Sequence, residues 1–440
     1  MRVLKFGGTS VGSPEALAAV REIVRKQAKR PLVVVVSAHS GVTDRLLQLA
    51  RDAVKGSYSL TALRRRHVDL HRGLGIESGV VDSLLQELDD LLQGLSLVRE
   101  LTPRSLDLVS SFGERMSVRG VAAYFSAGGV PALPVDAYDL GIRTDSRHTT
   151  ATPDPRCYPT VRRRLEAQLK TGAVPVVTGF IAKDREGNVT TLGRSGSDLT
   201  ATLLGAALDA DEVQIWTDVD GVMTADPRLV KDARSIPVLS IAEASELAYY
   251  GAKVIHPATM LPAIQNRIPV RVRNTYRPEQ RGTTIVGTAP RTRNPIKSIA
   301  YKRGTILITV ESSRMLLQSG FMARMFEVFA RHELSVDLVA TSEVTVSVTV
   351  DSERNLKPVV KELSGFSKAT VERGLAQVCV VGEVMRERVG VAGRVFGALR
   401  RARIPVRLIS HGGTKINISF LVDEARVQQA VRALHREFFS

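Results

Sequence analysis

The stretch PLVVVVSA, Pro31 to Ala38, constrains this chain more than any other. A leucine and four consecutive valines leave no polar face, so a strand built from them must be covered on both sides. β-Branched side chains fit the pleated backbone and lose rotamer freedom in a helix. Such a run belongs in the middle of a sheet with helices above and below, and the neighbouring sequence supplies them. RVLKF (Arg2 to Phe6) reads as a short strand, and Pro14 to Lys29 places Leu17, Val20 and Val24 on one helical face. Further strands are expected at Gly172 to Ile181, Glu212 to Val219 and Ile268 to Thr275. This alternation makes an α/β domain with a largely parallel central sheet. Sheets of this kind bind ligands at the carboxyl ends of their strands.

With 440 residues the chain needs more than one core. The polar stretch Gly287 to Ser298 contains two prolines and reads as a linker. It sets off a first domain at 1–287, a linker at 288–298 and a second region at 299–440. In that region the chain repeats itself. GFMARMFEVFARHELSVDL (Gly320 to Leu338) lies on GVAGRVFGALRRARIPVRL (Gly390 to Leu408) without a gap, at an offset of 390 − 320 = 70. Gly320, Arg324, Phe326, Arg331, Val336 and Leu338 recur as identical residues. Strand patterns flank each copy, which predicts two α+β modules of βαββαβ type, around 305–375 and 376–440.

Charge and cysteine usage narrow the function classes. The net charge is +16, but its clusters (Arg64 to Arg66, Arg162 to Arg164, and Arg400, Arg401 and Arg403) fall on helical segments without interleaved aromatics. A groove for single-stranded nucleic acid wants those aromatics, so the charge reads as solvated helix faces and no nucleic-acid partner is expected. Lys5 interrupts the apolar start, and no run approaches the roughly 20 apolar residues of a membrane span. Cys157 and Cys379 lack metal or framework spacing, and the eight histidines show no ligand pattern. A cytoplasmic protein without membrane partners and without a protein-bound metal is expected.

Several loops after strands carry chemistry-bearing residues. KFGGTSVGSPEAL (Lys5 to Leu17) puts Gly7 and Gly8 beside Thr9 and Ser10, and Ser13–Pro14 reads as an N-cap with proline in the first turn. The helix N-terminus then faces back toward the glycines, and Lys5 adds a point charge. It lacks the spacing of a P-loop or of G-x-G-x-x-G, and taken alone it fits either an anion cradle or a structural turn. SAHSGVTD offers Ser37, Ser40 and Thr43; TTLGRSGSD offers Arg194, Ser197 and Asp198 ahead of a helix; WTDVDGVMTADPR ends a strand in a polar loop. Glu114 in SSFGERMS and His256 in GAKVIHPATM fit ordinary helix-start and turn roles from spacing alone.

Together these segments resemble aspartokinases of the amino-acid-kinase superfamily, with KFGGTSV, SFGERMS, TTLGRSGSD, WTDVDGVMTADPR and GAKVIHPAT in the family's order. The resemblance covers nearly the whole chain. It implies an amino-acid-kinase sandwich followed by two ACT modules, one of them assembled from discontinuous segments. The implied activity is transfer of the γ-phosphoryl group of ATP, with Mg2+, to the β-carboxylate of L-aspartate, giving 4-phospho-L-aspartate.

By the same resemblance, Lys5 and Asp198 are catalytic, and Gly7, Gly8, Thr9 and Ser10 hold phosphate. Ser37, Thr43, Glu114, Phe180, Arg194 and Ser197 meet the amino-acid substrate. Thr217, Asp218, Met223, Arg228 and Lys253 fall on the nucleotide side. The segments Met315 to Met322 and Leu334 to Val344 resemble the effector site of lysine-inhibited members. That likeness places Met315, Gly320, Phe321, Val336, Asp337, Ser342 and Glu343 around L-lysine and implies a homodimer paired through ACT modules. Two departures stand out. Ser195 replaces the first of two paired glycines, which adds about 1 kcal/mol of strain if that residue needs φ > 0. Met223 stands where a tyrosine is usual. An amino-acid kinase of shifted substrate and a non-catalytic amino-acid sensor remain the alternatives.

Overall fold

The computed structural model describes residues 1–250, 256–312, 315, 319–413 and 416–440. The chain forms two compact units, the first made of Met1–Val222, Pro237–Ile241 and Lys253–Ala289. Its strands are β1 (Arg2–Phe6), β2 (Leu32–Val36), β3 (Ala132–Val135), β4 (Val174–Thr178), β5 (Ile181–Lys183), β6 (Val189–Thr191), β7 (Glu212–Thr217), β8 (Val238–Ser240), β9 (Val270–Asn274) and β10 (Thr283–Val286). Eight of them form one sheet in the order β3-β4-β2-β1-β7-β9-β10-β8, and β5 and β6 make a separate hairpin. Every neighbouring pair in the large sheet is parallel except β9 with β10.

The helices that matter for the site are α1 (Pro14–Gln27), α2 (Val42–Val54), α3 (Thr61–Leu74), α4 (Asp82–Val98), α5 (Pro103–Ala127), α6 (Tyr158–Leu169) and α7 (Gly196–Leu208). The four valines of β2 are completely buried. Val34 and Val36 pack with Leu17, Val20 and Val24 of α1 and with Val121 and Phe125 of α5. Burying one such side chain stabilises the fold by roughly 1.5–3 kcal/mol, which is what holds α1 against the sheet. Ser13 caps α1 as expected, its hydroxyl accepting from the Ala16 amide at 3.2 Å.

Register brings the strand ends level. Phe6 pairs with Val36 on one side and Trp216 on the other, and Val36 pairs with Thr178. The loops after β1, β2, β4 and β7 therefore leave the sheet at one height.

The second unit comprises Met223–Ile236, Ala242–Ala252 and Pro290–Ser440. The expected linker is thus one crossing among several, because two earlier excursions already belong to this unit. The first excursion packs Ala225 and Val230 into the second unit's core. The other carries most of α8 (Ile241–Tyr249), ahead of α9 (Pro257–Gln265) in the first unit. Six strands, β11 (Ser298–Glu311), β12 (Val339–Thr341), β13 (Thr345–Val350), β14 (Lys368–Val381), β15 (Leu408–Ser410) and β16 (Asn417–Asp423), form a sheet in the order β12-β13-β11-β14-β16-β15. Helices α10 (Phe321–Arg331), α11 (Leu356–Leu363), α12 (Val391–Arg401) and α13 (Val427–Phe439) complete the unit.

β11 and β14 pair antiparallel along their whole length, with a register shift around Gly304. Gly304 and Gly374 both take left-handed backbone, φ 72° and 71°, and they stand 374 − 304 = 70 residues apart, the offset of the repeat. These bulges divide each long strand in two. The first βαββαβ module runs consecutively from the second half of β11 to the first half of β14. The second begins with the rest of β14 and takes its last strand from the first half of β11. A Cβ at Gly304 would meet open space, so only the backbone conformation demands glycine there. Gly304→Val is expected to destabilise the second unit by about 1–2 kcal/mol, read from its urea midpoint. An unchanged midpoint would speak against the left-handed bulge.

Candidate active site

Lys5 is the penultimate residue of β1, and its Nζ lies 2.6 Å from Asp198 Oδ1. Both side chains are nearly buried, with 12% and 8% of their surface exposed. Asp198 sits in the first turn of α7, where the helix dipole favours negative charge. The glycine loop passes directly over the loop that follows β2. A Cβ on Gly8 would stand 2.8 Å from the Ala38 carbonyl oxygen, and the Ser40 amide donates to Gly8 O at 3.1 Å. Only glycine permits that approach.

The four expected phosphate residues differ in what they offer. The Gly8 amide meets no acceptor among the described residues, whereas the Gly7 amide makes a long bond of 3.4 Å to Trp216 O. Thr9 is exposed. Ser10 is fully buried, its hydroxyl bonds Thr275 Oγ1 at 2.8 Å, and its amide donates to Gly7 O. Ser10 is not among the residues that line the cleft beside Lys5 and Gly8.

A cleft of about 390 Å³ opens beside Lys5 and Gly8, and Ser37, Thr43, Glu114, Phe180, Ser197 and Asp198 also line it. Ser37 Oγ donates to Ser197 Oγ at 3.0 Å, and Ser117 Oγ donates to the Ser37 carbonyl at 2.8 Å. Phe180 holds φ 66°, and its amide donates to Thr200 Oγ1 at 3.0 Å. Glu114, on α5, is 3% exposed, and its Oε1 accepts from the Ala38 amide at 3.1 Å. Its Oε2 has no partner among the described residues. Burial pushes the Glu114 carboxyl up to about 8, against the opposing pull of its backbone bonds and of Lys5. Nearly buried and lining the cleft, it is a carboxyl whose ionised form a neighbouring cation would favour.

The remaining expected residues lie outside this lining. Arg194 is exposed, and its guanidinium has no partner among the described residues. Thr217 ends β7 and donates to Asp218 Oδ1 at 3.2 Å. In the second unit, Met223 bridges to Ser235, and Arg228 is held by Asp226 through Nε at 3.0 Å and Nη2 at 2.7 Å. Lys253 lies outside the described residues. His256 has the turn role expected of it, its carbonyl accepting from the Thr259 amide at the start of α9.

Among the expected effector residues, Gly320 caps α10 at φ 89°, and Phe321 is buried, edge-on to Phe366. Met315 and Val336 pack against the same core. Ser342 bonds Thr345, and Glu343 is exposed. Asp337 already faces a cation: Lys302 Nζ lies 3.6 Å from its Oδ2 and 2.9 Å from Asp351. Burial raises the Asp337 carboxyl, while a hydrogen bond from Tyr249 and the charge of Lys302 oppose the rise.

A family model for the amino acid kinase family matches residues 1–274, and one for the ACT domain matches 308–363 and 378–438. The chain is 40% identical to aspartokinase 1, chloroplastic, of Arabidopsis thaliana over 99% of this chain and 80% of that one. It is 36% identical to lysine-sensitive aspartokinase 3 of Escherichia coli over 99% of both. The chain belongs to the aspartokinase family. The E. coli aspartokinase III structure in complex with aspartate and ADP, in its R-state, superposes with a TM-score of 0.81 at 34% identity over the whole of both chains. The T-state complex of that protein with lysine and aspartate gives the same score at 33% identity, again over both whole chains.

For this aspartokinase-family chain, sequence reasoning missed residues that hold the site together from a distance. Asn274, at the end of β9, donates to Asp220 Oδ1 at 2.7 Å and to the Asp218 carbonyl at 3.3 Å, fixing the loop after β7. Tyr276 OH reaches the Thr9 carbonyl at 3.3 Å. Asp107 on α5 accepts from Thr191 Oγ1 and from the Thr149 amide, steadying the hairpin that leads into α7. The signal for Asn274 and Tyr276 was position, at and just beyond the end of a strand of the same sheet.

Ser195 takes φ 55°, the left-handed conformation that makes serine costly there. Ser195→Gly is expected to raise stability by about 1 kcal/mol, read from thermal unfolding. No gain, or a loss, would show that the serine side chain compensates.

Proposed function

We propose that this chain transfers the γ-phosphoryl group of ATP to the β-carboxylate of L-aspartate and that L-lysine inhibits it. The observation that carries the reading is the Lys5–Asp198 pair beside the unbonded Gly8 amide, in one cleft with Glu114. A carboxylate is already a nucleophile, so no general base is needed and the work is positioning and charge stabilisation. An oxygen of the β-carboxylate attacks the γ-phosphorus, the bond to the β–γ bridging oxygen breaks, and ADP leaves with that electron pair. Lys5 and the Gly8 amide meet the charge on the transferring group. Glu114 pairs with the substrate ammonium, Arg194 with its α-carboxylate, and Ser37, Thr43 and Ser197 orient it. The intact Lys5–Asp198 pair argues against a non-catalytic sensor.

Magnesium fits as an ion carried by the nucleotide. Asp198 is the cleft carboxylate beside Lys5, and Mg2+ is commonly held by one or two carboxylates plus substrate phosphates. Held there with the nucleotide, it would supply positive charge against the phosphate oxygens. Thr217, Asp218, Met223, Arg228 and Lys253 are assigned to the nucleotide by motif. An effector ammonium at Asp337 competes with Lys302, and Met315, Gly320, Phe321, Val336, Ser342 and Glu343 enclose the rest of the effector. No described helix is long and apolar enough to cross a membrane, and a cytoplasmic homodimer paired through ACT modules completes the proposal.

ATP turnover with and without L-aspartate, with hydroxylamine trapping of the acyl phosphate, tests the activity. Lys5→Ala is expected to lower aspartate-dependent turnover about 10²–10³-fold; undiminished turnover overturns the role of Lys5. A titration in which L-lysine leaves turnover unchanged overturns the regulation.

Glu114 gives a pH signature. Its carboxyl is protonated below about 8 and ionised above, and a substrate ammonium favours the ionised form. The KM for L-aspartate is expected to fall as pH rises from 6.5 toward about 8, and Glu114→Gln to flatten that slope. A slope that survives in Glu114→Gln assigns the titration elsewhere.

A further inference from the structure

His39 follows β2 by three residues and lines the cleft, yet nothing in the phosphoryl-transfer scheme uses it. It is 2% exposed, and its Nδ1 lies 2.6 Å from the carbonyl oxygen of Val11, in the loop that begins with Gly7 and Gly8. A carbonyl only accepts, so Nδ1 carries the proton and Nε2 is the bare nitrogen. Nε2 has no partner among the described residues. Behind His39 lie the rings of α3: His67 at 5.5 Å centroid to centroid, then His71 at 5.9 Å from His67. Burial holds the His39 ring down to about 4, with the charges of His71 and Arg66 in the same direction and the Val11 bond opposing. The imidazole is therefore neutral at ordinary pH and keeps its single donor on Val11.

Two loops meet here. The phosphate loop carries Lys5 at its root and Gly8 at its turn; the loop after β2 carries Ser37 and leads to Thr43. Beyond the strand ends, where Ser37 N donates to Phe6 O at 3.2 Å, two hydrogen bonds tie them together, Ser40 N to Gly8 O at 3.1 Å and His39 Nδ1 to Val11 O at 2.6 Å. The first is backbone alone, and one bond permits a pivot. The second closes a frame, and on the opposite side Arg66 Nη2 donates to the Ser40 carbonyl at 2.7 Å. The two loops run close enough that a Cβ on Gly12 would crowd Ser40 Cβ at 3.2 Å and the Gly8 carbonyl oxygen at 2.9 Å, so only glycine fits there.

We propose that His39 is a positioning residue that sets the spacing between the phosphate loop and the acceptor loop through its Nδ1–H bond to Val11. It touches neither reacting atom. Its effect is on the approach of a carboxylate oxygen to phosphorus, where a misplacement of 1 Å costs about 100-fold in rate. Binding of each substrate to its own loop is largely independent of that spacing, so the loss falls on kcat rather than KM. The proposal rests on the kinase reading.

Asparagine and glutamine separate this role from simple packing. Asparagine places an amide N–H where Nδ1 stands, and glutamine places it where Nε2 stands, pointing away from Val11. Both are polar and uncharged, so a polar group fills the site in each. His39→Asn is expected to keep kcat within about threefold of the parent, while His39→Gln loses about 10–100-fold with KM values for ATP and L-aspartate little changed. Thermal unfolding of the two variants reports packing separately. Equal kcat in the two variants, a loss confined to KM, or kcat losses that track thermal stability overturns the proposal. If the parent phosphorylates a carboxylate other than L-aspartate, the same ratio is read with that acceptor. Failure of the aspartate reading shows in the parent, and failure of the His39 role shows in the ratio.

Discussion

The ion pair between Lys5 and Asp198 is the contact on which the site's geometry depends. It joins the end of β1 to the first turn of α7, 2.6 Å apart and nearly out of water. Burying two charges is costly, and attraction between them roughly repays desolvation, so the pair adds little net stability. It fixes the Lys5 ammonium in the lining of the cleft. In the proposed reaction an incoming phosphate would compete with Asp198 for Lys5 rather than meet a charge that must first be drawn out of solvent.

Everything else in the first unit supports that placement. The parallel register of β2, β1 and β7 sets their loops at one level, and β4 continues it. The all-valine strand makes this possible, because only a strand covered on both faces sits at the centre of such a sheet. Contacts from distant parts of the chain then fix the loops: Ser10 with Thr275, Asn274 with Asp220, Glu114 with the Ala38 amide. Each satisfies a polar group that a tight loop would otherwise bury unpaired.

Much of this was legible in the residues. β1 runs from Arg2 to Phe6 as read, the valines are buried, Ser13 caps α1, and the repeat offset reappears in the two bulge glycines. Local chemistry fixes these features, and periodicity and capping residues report local chemistry. What escaped notice joins residues far apart. The bond from Ser10 to Thr275 could not be foreseen, because nothing near Ser10 reveals a threonine 265 positions on. His39 was one of eight histidines without metal spacing, and its use is a bond to a carbonyl, which leaves no pattern in composition. Two excursions of the chain into the second unit were invisible for the same reason, since strand and helix patterns say what an element is and not which core it joins.

The shared strands of the second unit have a consequence for how this part of the chain can change over time. β11 and β14 each serve two modules, with a hinge-like glycine at the midpoint of each. The first module is one continuous segment, but the second takes its last strand from the first half of β11, on the far side of the first copy, so the second cannot be cut out as a single piece. A duplication that ends in strand exchange is therefore hard to reverse: the pair is inherited whole, and sequence drift in one half is answerable to the other.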